Sequence, residues 1–197
     1  MKWQLLFCLL LLQTSVRAQA PAHNQRLSDA QLAQAATQCI PQAPLNVVRA
    51  VVRTESAFHP LALSINYPAS AAARHGLPQG KIFLKRQPRT RNEALYWTHW
   101  LLSHNYTVSI GLMQVNIQDA RKDQLDAGKL LDPCTNLQEG WRIFDRKYQA
   151  AARSVGPGQN ALRRALSLYN SGSPTRGFEN GYVSGVVTGE LLHHPRP

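Results

Sequence analysis

The chain has 197 residues, of which 44% are hydrophobic and 17% are charged, and its formal net charge is +11. This is about the length of one domain, which excludes a small scaffold that needs disulfides or metals in place of a hydrophobic core. The positive charge favours anionic partners such as nucleic acid, anionic lipid or an acidic polymer of the cell wall.

Residues 1–18 are predicted to be a secretory signal peptide. Lys2 gives a positive start, residues 5–12 form an almost pure apolar run, and small residues follow at Ala18 and Ala20. Such a run is too short to span a bilayer stably, although a retained membrane anchor is the alternative. Cleavage after Ala18 would deliver residues 19–197 to the periplasm as a single domain without a stable membrane anchor.

Two cysteines, Cys39 and Cys134, remain after this cleavage. An even number of cysteines in an oxidising compartment favours a disulfide, and two buried free thiols are the alternative. A bridge across a loop of this length would stabilise the fold by roughly 4 kcal/mol in the chain-entropy description.

The N-terminal half is predicted to contain helices and short strands. Residues 19–27 are expected to be flexible, and Ser28 to cap a helix that runs through Gln38. A second helix over residues 45–56 would bury the stripe formed by Val47, Val48, Val51 and Val52. Two short strands are predicted over residues 61–67 and 81–86, with a Gly-, Ala- and Pro-rich connection between them.

The second half is predicted to be mainly helical. Thr90 and Glu93 have the spacing of a capping box and predict a helix through Ser103, after which residues 106–110 could form a third strand. Four further helices are predicted over residues 117–125, 136–154, 160–170 and 178–192. The fold class is therefore α+β, mostly α, with a small inserted sheet.

Glu55 is the first candidate for chemistry. It ends the valine-striped helix, where the packed helix would hold it in place and partly withdraw it from water. A carboxyl group in such a place can keep a proton for donation at neutral pH, as the cleavage of a glycosidic bond requires. A surface glutamate near a helix end is the alternative.

Two later segments carry neutral polar groups. Gly111 lets the backbone approach a ligand closely, and Gln114 and Asn116 offer amides that can bind sugar hydroxyl or acetamido groups. Leu112 and Met113 are either core residues or the wall of a groove. Tyr169 and Asn170 precede Ser171-Gly172, and they either end a helix or line a cleft.

The order of these motifs resembles the soluble lytic transglycosylase and goose-type lysozyme group. The motifs are Glu55-Ser56, Gly111-Leu112-Met113-Gln114, Tyr169-Asn170 before Gly172, and Tyr182-Val183. Residues 64–66, 87–93, 109–116 and 132–136 are similar to the peptidoglycan-cleaving subunits of type IV secretion and conjugation systems. The resemblance covers roughly residues 39–187 and implies a lysozyme-like fold.

The resemblance also implies roles for individual residues. Glu55 matches the single catalytic acid and base of the group, and Ser56 matches its orienting neighbour. Gly111, Met113, Gln114 and Asn116 would contribute to the saccharide groove, Tyr169 and Asn170 would lie near the cleaved bond, and Tyr182 would lie beneath the glutamate. Glu179 stands one position away from a glutamate of the larger relatives, so it receives no role.

The activity that the resemblance implies is cleavage of peptidoglycan between N-acetylmuramic acid and N-acetylglucosamine with formation of a 1,6-anhydro ring. The expected partners are glycan strands and proteins of a secretion or conjugation apparatus, and the protein is expected to act as a monomer. A hydrolytic lysozyme of the same fold and a non-catalytic wall-binding scaffold are the alternatives.

Other kinds of site are disfavoured. The seven histidines lack the spacing of a metal site, and no phosphate-binding glycine loop or nucleophile elbow is present, so no metal or cofactor is expected. A basic run over residues 81–91 precedes Tyr96 and Trp100, which lie four apart and are interpreted as core or as a sugar-stacking wall. Nucleic-acid binding, which also combines cations with aromatic rings, is not expected.

Overall fold

Residues 26–67 and 80–189 are described by a computed structural model of the chain. The predicted signal peptide, the connection between the first two strands and the end of the predicted C-terminal helix lie outside these ranges. Leu27 is already tied to the fold, because its amide donates a hydrogen bond of 2.9 Å to Phe58 O. The expected flexible N-terminus therefore does not extend to Leu27.

The first two helices form as their sequences predict. Helix α1 spans Asp29–Cys39 and helix α2 spans Leu45–Ser56. Ser28 Oγ accepts from the Gln31 amide and the Gln31 side chain accepts from the Ser28 amide, so both halves of a capping box are present. Helix α2 places its valine stripe in the core and carries Glu55 in its last turn.

A small antiparallel sheet follows helix α2. Its strands are β1 (Leu63–Tyr67), β2 (Gly80–Phe83), β3 (Thr107–Ile110) and β4 (Val115–Asn116), in the order β2-β1-β3-β4. Ser64 pairs with Ser109, and Ile110 pairs with Val115 across the turn that contains Gly111. The short strand β4 was not predicted, because two residues carry no alternating pattern.

Helix α3 spans Arg91–Ser103, between β2 and β3. Thr90 Oγ1 accepts from the Glu93 amide, as the capping box predicts. The second half of the predicted box is wrong: the Glu93 carboxylate accepts from the Arg89 amide and from Arg86. A nearby arginine and a free loop amide compete with the amide of Thr90 for this carboxylate.

The C-terminal half is helical with several breaks. The elements are α4 (Ile117–Ala120), a 3₁₀ turn (Arg121–Asp123), α5 (Ala127–Leu130), α6 (Pro133–Val155), α7 (Gln159–Ser171), α8 (Arg176–Glu179) and α9 (Tyr182–Thr188). The α-helix predicted over residues 117–125 is thus only four residues long, and α5 was not predicted. Helix α6 begins three residues earlier than expected, because Asp132 caps it and proline is tolerated in a first turn.

The single helix predicted from residue 178 is wrong. Gly181 has a φ of +78° and separates α8 from α9. The left-handed conformation ends one helix and lets the chain change direction before Tyr182. This break determines where the side chain of Tyr182 lies.

The helices pack around α2 and α6. Helix α1 packs on both of them, α7 packs along α6, and α9 packs on α2 and α7. A disulfide between Cys39 and Cys134, 95 residues apart in sequence, joins the end of α1 to the first turn of α6. The predicted bridge and the predicted fold class are confirmed. None of the helices in residues 26–67 and 80–189 combines the length and apolar character that a membrane crossing requires.

Candidate active site

Glu55 lies in the interior of the protein. It is 3% exposed, in the last turn of α2, among the buried valines of that helix. The chain then turns sharply through Ala57 and Phe58, which have φ values of 49° and 66°. Two successive non-glycine residues in the left-handed region are uncommon and carry strain that the surrounding packing must support. Because Glu55 is buried, the alternative that it is a surface glutamate is wrong.

Tyr182 is a hydrogen-bond partner of Glu55. Its phenol Oη donates a hydrogen bond of 2.6 Å to Glu55 Oε1. Burial raises the pKa of Tyr182 well above its ordinary value, and the charge of Glu55 and the hydrogen bond to it raise it further. The phenol consequently keeps its proton and acts as a permanent donor to the carboxylate.

Tyr169 lies within the electrostatic reach of Glu55. Its Oη donates a hydrogen bond of 2.7 Å to Met113 O, which connects α7 to the turn between β3 and β4. Burial raises the pKa of Tyr169 well above its ordinary value, with smaller contributions from the charges of Glu55 and Glu139. This phenol is also a fixed donor, and it ties the turn that contains Met113 to α7.

The turn after β3 requires glycine at position 111. Gly111 has a φ of +80°, and a Cβ there would lie 2.3 Å from Asn136 Nδ2. Gln114 closes the turn with a φ of 50°, and its amide donates a bond of 3.1 Å to Gly111 O. The backbone thus approaches α6 closely, in a way that a side chain at residue 111 would prevent.

The Gln114 side chain is used within the fold. Its Oε1 accepts a hydrogen bond of 2.7 Å from Ser64 Oγ, and its Nε2 donates bonds of 3.0 Å to Ala62 O and to Gly111 O. The residue is 5% exposed. The sequence-based prediction placed this amide against a sugar, whereas in the structure it joins the start of β1 to the turn.

Two other predicted residues also make internal contacts. Ser56 Oγ donates a hydrogen bond of 3.1 Å to Val52 O, one helical turn earlier. Met113 is fully buried, and a Cβ added to Gly140 would lie 2.5 Å from Met113 Cβ. The core alternative for Met113 therefore fits the structure.

Asn116 and Asn170 are partly exposed. Asn116 Oδ1 accepts a bond of 2.9 Å from the Gln118 amide and so caps α4. Asn170 Oδ1 accepts a bond of 2.9 Å from Asn180 Nδ2, which lies between α8 and α9. Asn170 therefore lies next to Tyr169 at the end of α7, whereas Asn116 lies on the edge strand β4 of the sheet.

Asn136 is a structural residue to which the sequence assigned no role. It is 1% exposed, and its Nδ2 donates hydrogen bonds of 2.8 Å to Ile110 O and 2.9 Å to Leu130 O. Its Oδ1 accepts a bond of 2.8 Å from the Met113 amide. One side chain on α6 therefore satisfies three backbone groups around the turn. An asparagine four residues after the helix cap Asp132 was the available signal.

Glu139 is the second buried carboxylate among the described residues. It is 4% exposed, and Arg142 donates to both of its oxygens, at 2.8 and 2.5 Å. Arg142 also pairs with Asp123. The charge of Glu139 is therefore compensated by a guanidinium, as a buried carboxylate requires. The described residues include no group of three His, Cys, Asp or Glu side chains that could hold a metal ion.

Comparisons with known proteins found a matching family and several relatives. The profile of the family described as Transglycosylase SLT domain matches residues 32–185. The chain is 29% identical over 171 residues to Protein virB1 of Agrobacterium fabrum, covering 82% of this chain and 60% of that protein. It is 32% identical over 158 residues to Type IV secretion system protein virB1 of Brucella abortus, covering 77% of this chain and 60% of that protein. The chain thus spans about 60% of the length of these relatives. No solved structure matches it significantly.

Proposed function

The chain belongs to the transglycosylase SLT domain family, and from this premise we propose that it is a peptidoglycan lytic transglycosylase whose catalytic group is Glu55. The observation that carries the proposal is the 2.6 Å hydrogen bond from Tyr182 Oη to the buried carboxylate of Glu55. A buried carboxyl group that accepts a hydrogen bond from a fixed donor is suited to exchange a proton with a bound glycan.

In the first step, Glu55 protonates the oxygen that bridges N-acetylmuramic acid and N-acetylglucosamine. The bond from C1 of the muramic residue to this oxygen breaks, and the N-acetylglucosamine leaves with a new hydroxyl group. The acetamido oxygen of the muramic residue supports the positive charge that develops at C1. This is the substrate-assisted alternative to a second carboxylate.

In the second step, the charged Glu55 removes the proton of the muramic C6 hydroxyl. The C6 oxygen attacks C1 and closes the 1,6-anhydro ring, which releases the acetamido oxygen and restores the protonated carboxyl group. No water is consumed. The donor Tyr182 stabilises the charged carboxylate between the two steps, since a hydrogen bond to the charged form favours that form.

The remaining predicted residues would shape the groove. Asn170, partly exposed beside Tyr169, is proposed to contact the sugar next to the cleaved bond. Asn116 is proposed to contact the glycan at the sheet edge. Gly111, Met113, Gln114 and Ser56 would form the supporting wall, with their backbone rather than their side chains towards the substrate.

The proposed setting is the periplasm, where the protein would open the wall locally for a type IV secretion or conjugation apparatus. The signal-peptide pattern of residues 1–18, the disulfide between Cys39 and Cys134 and the names of the virB1 relatives support this setting. Glycan strands are the proposed substrate, proteins of the apparatus are the proposed partners, and the monomer is the proposed active form.

The test compares the wild type with Glu55→Gln on purified sacculi. Glu55→Gln keeps the size of the side chain and removes the exchangeable proton, so we expect the release of soluble fragments to stop. Glu179→Gln, at an exposed glutamate of α8, is the matched control and should cleave normally. Clearing of sacculi by Glu55→Gln at the wild-type rate would refute the assignment.

Mass spectrometry of the wild-type products identifies the attacking group. Fragments that end in 1,6-anhydro-muramic acid show that the C6 hydroxyl attacked. Reducing ends, which are heavier by one water, would instead make the protein a hydrolytic lysozyme. A chain that binds sacculi and releases nothing would be a wall-binding scaffold.

A further inference from the structure

Helix α3 presents two large aromatic side chains to solvent. Tyr96 is 67% exposed and Trp100 is 48% exposed, four residues apart on the same face. The interpretation of this pair as core is therefore wrong. Large apolar side chains that lie next to each other on a surface mark binding sites more often than isolated ones do.

These rings form one wall of a groove. The cavity has a volume of about 510 Å³ and lies between residues 84–86 and the α3 face that carries Tyr96, Trp97 and Trp100. This volume is in the range of small-ligand sites, whereas protein–protein interfaces are mostly broader and flatter. None of the residues placed around Glu55 lines it.

The two tryptophan rings are held in place. The guanidinium of Arg86 lies over the Trp97 ring, 4.7 Å from its centroid, and pairs with Glu93 at 2.5 Å. The Trp100 ring stacks on His104, with 4.1 Å between ring centroids. A preformed aromatic wall loses little conformational entropy when a ligand binds.

The charge of the groove is small and localised. Arg86 is compensated by Glu93, whereas Lys85 is exposed and makes no ion pair within the described part of the chain. One available cation fits a ligand with isolated carboxylates. A nucleic-acid strand would require a basic track that follows its phosphates, which these two residues do not provide.

We propose that this groove is a second binding site for peptidoglycan, in which sugar rings stack on Tyr96 and Trp100 and Lys85 pairs with a carboxylate of a stem peptide. Four residues of helix advance by about 6 Å, so the two rings can contact successive sugars of one strand. The site would hold the strand while Glu55 acts elsewhere on the wall. This inference rests on the proposed function.

The experiment measures binding separately from cleavage. All variants carry Glu55→Gln, so that the wall is not consumed, and binding to sacculi is measured by co-sedimentation. Adding Tyr96→Ala and Trp100→Ala together should weaken binding by roughly tenfold, the effect of losing about 1.4 kcal/mol. Phe178→Ala, which truncates an aromatic residue that is also 48% exposed, is the matched control and should bind as the parent does.

Charge is tested at Lys85. Lys85→Gln should weaken binding to sacculi, which carry stem-peptide carboxylates, and leave binding to a chitin oligosaccharide unchanged. Arg163→Gln removes the same charge from an exposed position on α7 and should have no effect on either ligand. Binding to the oligosaccharide should still fall in the Tyr96→Ala/Trp100→Ala variant.

Three results would overturn the proposal. They are no binding of the parent to sacculi, equal binding by the parent and the aromatic variant, and binding through the groove to a single-stranded oligonucleotide in place of sacculi. Each differs from failure of the proposed function, which is measured by cleavage in the protein that retains Glu55. Circular dichroism spectra that match the parent's would show that the aromatic variant is folded.

Discussion

The phenol of Tyr182 donates a hydrogen bond of 2.6 Å to the carboxylate of Glu55, from a position 127 residues further along the chain. The two side chains come from α9 and α2, which pack directly on each other. The contact depends on the break at Gly181, because it sets where α9 starts. A local turn thus positions a hydrogen-bond donor to Glu55.

Tyr182→Phe removes this donor and keeps the ring. A hydrogen bond to a charged group contributes about 1.5–3 kcal/mol, so we expect kcat on sacculi to fall by at least about tenfold. The charged carboxylate that forms between the two steps loses this stabilisation in the variant. Turnover of purified sacculi by the two proteins measures the effect.

Tyr148→Phe is the matched control for this variant. Tyr148 Oη accepts a hydrogen bond of 3.3 Å from the Gly158 amide, near the far end of α6. Its loss should leave kcat unchanged. Equal kcat values for the wild type and Tyr182→Phe would show that the phenol does not stabilise the charged carboxylate.

Asn136→Leu tests the side chain that satisfies three backbone groups. The leucine leaves Ile110 O, Leu130 O and the Met113 amide buried without this partner. Each unsatisfied buried group costs about 1–3 kcal/mol, so the free energy of unfolding should fall by at least about 3 kcal/mol. Urea denaturation measures the change. Asn46→Leu, at an exposed position of α2, should change it by less than about 0.5 kcal/mol, and an equal loss in both variants would contradict the assignment.

Local patterns were sufficient to predict much of the fold. The valine stripe of α2 has helical periodicity, Ser28 is a residue type that caps helices, and a cysteine pair behind a predicted signal peptide indicates a bridge. Each of these signals lies within a few neighbouring residues or in the count of one residue type. The ordered motifs then indicated the family and, through it, Glu55 as the proposed catalytic residue.

Contacts between distant segments could not be predicted in the same way. The amide of Gln114 is satisfied by Ala62 O and Ser64 Oγ, about fifty residues earlier, and no local pattern encodes that geometry. Tyr96 and Trp100 have the spacing of a helix face, but periodicity does not say whether another element covers that face. A glycine before Tyr182 allows a break and does not require one.

Gly140→Ala tests the close contact between α6 and the turn that contains Met113. The added Cβ would lie 2.5 Å from Met113 Cβ and 2.7 Å from Met113 Sδ. We expect a loss of about 1–3 kcal/mol in the free energy of unfolding, because an overpacked core must shift. The displaced turn should also lower activity. Gly128→Ala, whose Cβ would come no closer than 3.2 Å to the Asp126 side chain, should cost much less; equal costs would show that α6 and the turn are not tightly packed.

His59 makes the stability of the fold depend on pH. Burial, followed by the charge of Arg26, lowers the pKa of His59 from 6.5 to about 4. Between these values the unfolded chain binds a proton that the folded chain does not, so stability rises with pH across this window. The contribution is complete above pH 6.5, is lost as the pH falls towards 4, and amounts to about 3 kcal/mol at most.

His59→Asn separates this titration from the packing of the residue. His59 Nδ1 accepts a bond of 3.1 Å from the Leu61 amide, and the Oδ1 of an asparagine can accept the same bond without titrating. Urea denaturation at pH 7 and at pH 4.5 should show a larger loss on acidification for the wild type than for His59→Asn. The comparison uses the difference between the two pH values, so a uniform loss of stability in the variant does not affect it. Equal losses in the two proteins would show that a group other than His59 takes up the proton on unfolding.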